Sequence, residues 1–171
     1  MSKRPALLLL SLVLVGSGCA ADAGAAPTGR TAGPTVPAPT VAPAPPLAAL
    51  DEVEAAYRRS WAVYADAMGR LDASDLAESF GASALVLRRR EVEALRRAGE
   101  AVRVRVTHDL EVALVDAVTA VVTDVLGNHM VRVDARTGRP LEPDPGGTLT
   151  RAYTLRREGG TWKVTEAVAL G

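Results

Sequence analysis

Residues 91–114 read EVEALRRAGEAVRVRVTHDLEVAL, and the hydrophobic period changes in the middle of them. Up to Ala98 the apolar positions fall three and four apart, so that Ala84, Leu85, Val92 and Leu95 share one side of a helix. Arg89, Glu93 and Arg97 run down the other side at the four-residue spacing that suits ion pairs along a helix. Gly99 follows, the residue type that most easily adopts the left-handed conformation closing a helix. Beyond it Val102, Val104, Val106, His108, Leu110, Val112 and Leu114 alternate with Arg103, Arg105, Thr107, Asp109, Glu111 and Ala113. A period of two predicts a strand with one buried face, either continuous or kinked into two. The start of the helix is left open, because Val86-Leu87 also suits a brief strand.

Working outward, the segment after Pro46 carries Leu50, Val53, Tyr57, Trp61, Tyr64, Met68 and Leu71 at three- and four-residue steps, with Arg58, Arg59, Ala62 and Asp66 opposite. This predicts one long amphipathic helix. Asp72 or Ser74 is expected to cap a shorter helix bearing Leu76 and Phe80. On the C-terminal side, Asp116-Ala117 reads as a turn and Val118–Leu126 as a strand. Gly127-Asn128 reads as a bulge or tight turn, with Met130–Val133 extending beyond it. Residues 136–147 are rich in Gly and Pro and read as a loop. Two closing strands, Leu149–Arg156 and Thr161–Ala169, flank a hairpin turn at Glu158-Gly159-Gly160. Helices followed by an antiparallel meander predict an α+β domain.

This order of elements resembles the NTF2-like superfamily, which includes the SnoaL-like proteins. The residues that carry the resemblance are Tyr57-Arg58-Arg59-Ser60-Trp61, Ala117-Val118-Thr119-Ala120-Val121-Val122, Thr137-Gly138, and Gly159-Gly160-Thr161-Trp162-Lys163-Val164. The resemblance implies a cone over residues 47–171, with N-terminal helices packed in a curved antiparallel sheet of four to six strands and a pocket between sheet and first helix. One departure is the lack of a short hairpin between the second and third helices. The superfamily spans isomerases, cyclases, epoxide hydrolases, transport factors and assembly subunits, so the resemblance specifies architecture and not activity.

Residues 1–18 have the three parts of a signal peptide. Lys3 and Arg4 precede the apolar run Ala6–Val15, which is too short to span a bilayer, and small residues lead to Cys19. The ending Gly16-Ser17-Gly18-Cys19 resembles the bacterial lipobox, with Gly16 where leucine is usual. The resemblance implies cleavage before Cys19, a diacylglycerol thioether on its sulfur and further acylation by a chain such as palmitate. Two or more chains anchor stably to a membrane where one does not. Residues 19–46 then form a tether rich in Ala, Pro and Thr, in which proline blocks helix and sheet. The alternative is an ordinary secreted protein with an incidental cysteine. The expected location is the extracytoplasmic face of the cell membrane.

Lys+Arg and Asp+Glu both total 20; without Lys3 and Arg4 the balance is 18 against 20, a net charge of −2. No basic field exists to attract nucleic acid. Abundant Ala, Val and Arg with only two lysines, Lys3 and Lys163, suggest a GC-rich and actinobacterial source. The single cysteine excludes an internal disulfide, and with only two histidines neither a metal site nor a bound cofactor is expected.

Candidate site residues are few. His108 sits in the apolar phase of its strand, and Asp124 is in phase with Ala120, Val122 and Leu126. If the chain turned at Gly127-Asn128, His129 would face Asp124 as a base beside its orienting acid. The phases of His108, Asp124 and His129 do not oblige them to converge, and no hydrogen-bonded triad is expected. Tyr57, Trp61 and Tyr64 are candidates to line a pocket, but their helical phase argues for plain core packing. Arg88-Arg89-Arg90 reads as a solvated helix face able to meet anionic headgroups. The expected function is a non-enzymatic envelope module that binds a protein partner or an apolar small molecule. The alternatives are a SnoaL- or isomerase-type acid–base enzyme using Asp124 with His129 or His108, and a structural accessory subunit. The oligomeric state, a dimer included, is left open.

Overall fold

The computed structural model describes residues 46–144 and 146–170; the signal peptide, Cys19 and nearly all of the tether lie outside the described residues. Helix α1, Leu47–Arg70, buries Val53, Ala56, Tyr57, Ser60, Tyr64, Ala67 and Met68 along one stripe. It stops at Leu71, whose left-handed backbone (φ 59°) turns its N–H back onto the Ala67 carbonyl. Helix α2 is a single turn, Leu76–Ser79. Neither Asp72 nor Ser74 caps it: Asp72 accepts the Ser74 N–H in a local turn, and the flanking Asp75 makes no side-chain cap. Competition from such short-range side-chain bonds is common for Asp and Ser.

Helix α3, Ala82–Ala98, starts two residues before the spacing suggests and leaves Val86 and Leu87 exposed on its surface, so no brief strand forms there. Gly99 closes it in the left-handed region, φ 70°, as expected. The Arg89–Glu93–Arg97 ladder does not form. Glu93 pairs instead with Arg96 at 3.4 Å, and Glu91 with Arg88 at 2.8 Å.

The alternating run after Gly99 is two strands belonging to two sheets. Strand β1, Glu100–Arg103, pairs antiparallel with β4, Val131–Asp134. Strand β2, Val106–Leu114, lies at the edge of an antiparallel sheet ordered β2-β3-β5-β6, where β3 is Thr119–Asn128, β5 Thr148–Glu158 and β6 Thr161–Ala169. Gly127-Asn128 is neither bulge nor turn. Gly127 pairs in register with Thr107, and Asn128 with Val106. A Cβ at position 127 would collide with the Thr107 Oγ1, which accounts for glycine inside a strand. The chain turns at His129-Met130, where the Asn128 Oδ1 accepts the Met130 N–H.

The main core lies between α1, α2, α3 and the inner face of the four-stranded sheet. A smaller cluster of Ala101, Val131 and Val133 packs with Leu71 at the two-stranded sheet. A register shift between Thr154 and Leu155 adds local bend to the main sheet. Between α2 and α3, Phe80 bridges to Val164 and the Gly81 N–H donates to the Val164 carbonyl, so this link is sewn to β6. The architecture is the α+β one that the order of elements implies: N-terminal helices against a curved antiparallel sheet of four strands, with a two-stranded sheet beside it.

Candidate functional site

Strand register decides which side chains face the helices. His108 lies opposite Leu126, and Leu126 opposite Leu149; Leu110 lies opposite Asp124, and Asp124 opposite Arg151; Val122 lies opposite Tyr153. Side chains paired across strands share a face, and Val122, Asp124 and Leu126 are all buried, so this is the concave face under α1.

At its centre the Tyr57 hydroxyl donates to the Asp124 Oδ2 at 2.7 Å, and the His108 Nδ1 lies 2.7 Å from the same oxygen. The Asp124 side chain is 0 % exposed, and its Oδ1 has no partner among the described residues. An acceptor at Nδ1 places the proton of a neutral imidazole there and leaves Nε2 as the acceptor. The His108 ring sits edge-on to Tyr57 at 5.7 Å between centroids and tilted to Trp61 at 5.4 Å. Burial, then the neighbouring Tyr153 and the Asp124 bond, push the Tyr57 phenol well above the ordinary tyrosine range.

The three residues form no single triad, as expected, but two of them do converge. Asp124 does bond a histidine, and that histidine is His108. His129 sits in the exposed turn after β3 and pairs with Asp144 at 3.0 Å. His108 and Asp124 are diagonal neighbours across β2 and β3, a relation that exists only once the register is set.

The cone itself is nearly full. Ser60, Trp61, Tyr64, Phe80, Arg88, Tyr153 and Val164 enclose about 10 Å³, room for roughly one water. Beside it opens a cleft of about 170 Å³. Trp61, Tyr64, Arg88 and Glu91 form its helical wall, and Leu126, Met130, Leu149, Arg151 and Tyr153 the opposite one. Of the three aromatic candidates on α1, Tyr57 and Tyr64 are core and Trp61 is half-buried, while Trp61 and Tyr64 line both spaces. His108 lines neither.

Arg88 departs from the solvated face expected of the Arg88-Arg89-Arg90 run. Its side chain is only 14 % exposed, its guanidinium lies 4.6 Å over the Tyr64 ring, and its Nη1 donates to both Glu91 oxygens at 3.0 and 2.8 Å. Burial works against its charge, and the Glu91 bond, the Tyr64 phenol and the Glu91 charge together more than offset this, holding the guanidinium above its usual value. Burial, and then Glu91, push the Tyr64 phenol up to about 12. Arg151 makes no ion pair among the described residues. Arg151 escaped the sequence reading, and Arg88 entered it only as part of a solvated face. Alternation along β5 was the one signal for Arg151, since it places residues 149, 151, 153 and 155 on one face.

No protein-family model matches the sequence, and no curated protein matches it significantly. Solved structures are similar in fold. The intermembrane-space region of the chloroplast protein ARC6 aligns over 71 % of this chain and 96 % of its own, with 18 % identity and a TM-score of 0.58. A protein of the NTF2-like family from Streptomyces avermitilis aligns over 74 % of this chain and 99 % of its own, with 16 % identity and a TM-score of 0.45. An NTF2-like protein with a cystatin-like fold from Novosphingobium aromaticivorans aligns over 72 % and 88 %, with 19 % identity and a TM-score of 0.41. At these identities the likeness is one of fold, and what residues 46–170 do rests on their own side chains.

Proposed function

We propose that this chain is a lipid-anchored extracytoplasmic module that holds a small molecule in the cleft at the side of its cone, without catalysing a reaction. One observation carries the binding reading. Aromatic side chains fill the cone down to about 10 Å³, while the neighbouring cleft keeps about 170 Å³ between an indole, two phenols and two guanidinia. A substrate has no route to Asp124, which is fully buried. Convergent polar groups beside an apolar wall are the usual make-up of a ligand site. The signal-peptide pattern ending at Cys19 supports the anchor, and the proline-rich tether supports a domain held clear of the membrane.

Two measurements test this. Cys19→Ser is expected to shift the protein from the membrane fraction to the medium or to leave uncleaved precursor. Native protein with a free Cys19 thiol and no lipid mass would refute the anchor. In a thermal-shift screen of small molecules, ligands that raise Tm should lose their effect in Leu149→Trp, which fills the cleft away from Asp124. Stabilisation that survives this substitution would place the ligand elsewhere.

A second reading, an acid–base enzyme, has the 2.7 Å bond between His108 and Asp124 in its favour. It requires Nε2 of His108 to meet reagents. With side-chain exposures of 11 % for His108 and 48 % for His129, diethyl pyrocarbonate should modify His129 many times faster, read by peptide mass spectrometry. Comparable rates at both histidines would favour the enzyme.

A further inference from the structure

Within the binding reading just proposed, on which this step rests, we infer that the cleft takes a small monocarboxylic acid with an apolar body, its carboxylate meeting Arg151. The charges facing the cleft are Arg88, Glu91 and Arg151. Arg88 and Glu91 neutralise each other, one Nη1 donating to both carboxylate oxygens, so among the described residues the lining carries one uncompensated positive charge, on Arg151. Asp124 stands opposite Arg151 in the sheet, yet no ion pair joins them. Its Oδ2 is occupied by Tyr57 and His108, and Asp124 does not line the cleft. A half-buried arginine with five donors and no carboxylate partner among the described residues calls for an anion, and a planar carboxylate matches its fork. One positive charge suits a monoanion better than a phosphate dianion.

The remaining wall sets the body of the ligand. Leu126, Leu149 and Met130 flank the arginine on the strand side, and Trp61 faces them from α1. An apolar group there would leave water while the carboxylate keeps its charge partner. The volume of about 170 Å³ restricts the acid to a small one.

The test is calorimetric titration of the full chain with benzoate, with benzamide as its neutral counterpart, and with inorganic phosphate. Benzoate is expected to bind saturably and at least tenfold more tightly than either of the others, with an affinity that falls as salt rises. Arg151→Gln should weaken benzoate at least tenfold and leave benzamide unchanged. Arg151→Lys, which keeps the charge and guards against a folding artefact, should fall between. Benzamide binding as well as benzoate would overturn the carboxylate inference and leave the binding reading intact. Phosphate binding as well as benzoate would overturn the apolar body. Binding of none of the three would overturn the inference, while retained thermal-shift ligands sensitive to Leu149→Trp would keep the broader reading standing.

Discussion

Asp124→Ala is expected to destabilise the domain by about 3–5 kcal/mol, measured as a lower urea midpoint at unchanged slope. The carboxylate is fully buried and accepts from two donors on different elements, Tyr57 of α1 and His108 of β2. Removing it strands a phenol and an imidazole N–H in a dry interior, and unsatisfied buried donors cost more than the bonds contribute when made. The cost should therefore be strongly non-additive. Asp124→Ala combined with Tyr57→Phe should be milder than the sum of the two single changes, because the second removes one of the stranded donors. Strict additivity would mean that the two groups do not communicate and that the network is incidental to folding.

Tyr57→Ala should cost about 3–5 kcal/mol, and Trp61→Ala only ~1–2 kcal/mol, in the same unfolding assay. From the sequence alone, Trp61 is as good a core residue as Tyr57, since both sit on one stripe of α1. In the structure Tyr57 is fully buried, contacting Tyr153 at 4.9 Å and His108 at 5.7 Å between ring centroids. Trp61 is half-buried and lines the cleft. A Trp61→Ala cost as large as that of Tyr57→Ala would mean that the cleft is closed in solution, and would weaken the proposed ligand site with it.

The sequence by itself determined the helices, most strand boundaries, the closing hairpin and the stop at Gly99, because each depends on neighbours a few residues away. Side-chain period, a glycine able to take positive φ and proline's missing N–H all act locally. Other features were decided only by the folded chain. The run from Val102 to Leu114 has one unbroken alternation, yet it serves two sheets, because β4 competes with β3 for its first residues. Gly127 looked like a turn and is a strand residue whose missing Cβ makes room for Thr107 across the register.

The site shows the same division. Asp124 could be placed on the inner face by its phase, but its partner could not, since His108 and His129 were both within reach until the pairing of β2 with β3 was set. Arg88 could not be told from Arg89 and Arg90, because three adjacent residues fan around a helix and the structure turns only the first inward, onto Tyr64 and Glu91. Whether the cone is open or filled depends on how Tyr57, Trp61, Tyr64, Phe80 and Tyr153 interlock across α1, β5 and the link between α2 and α3. That is a property of packed volume, and periodicity along the chain carries no information about it.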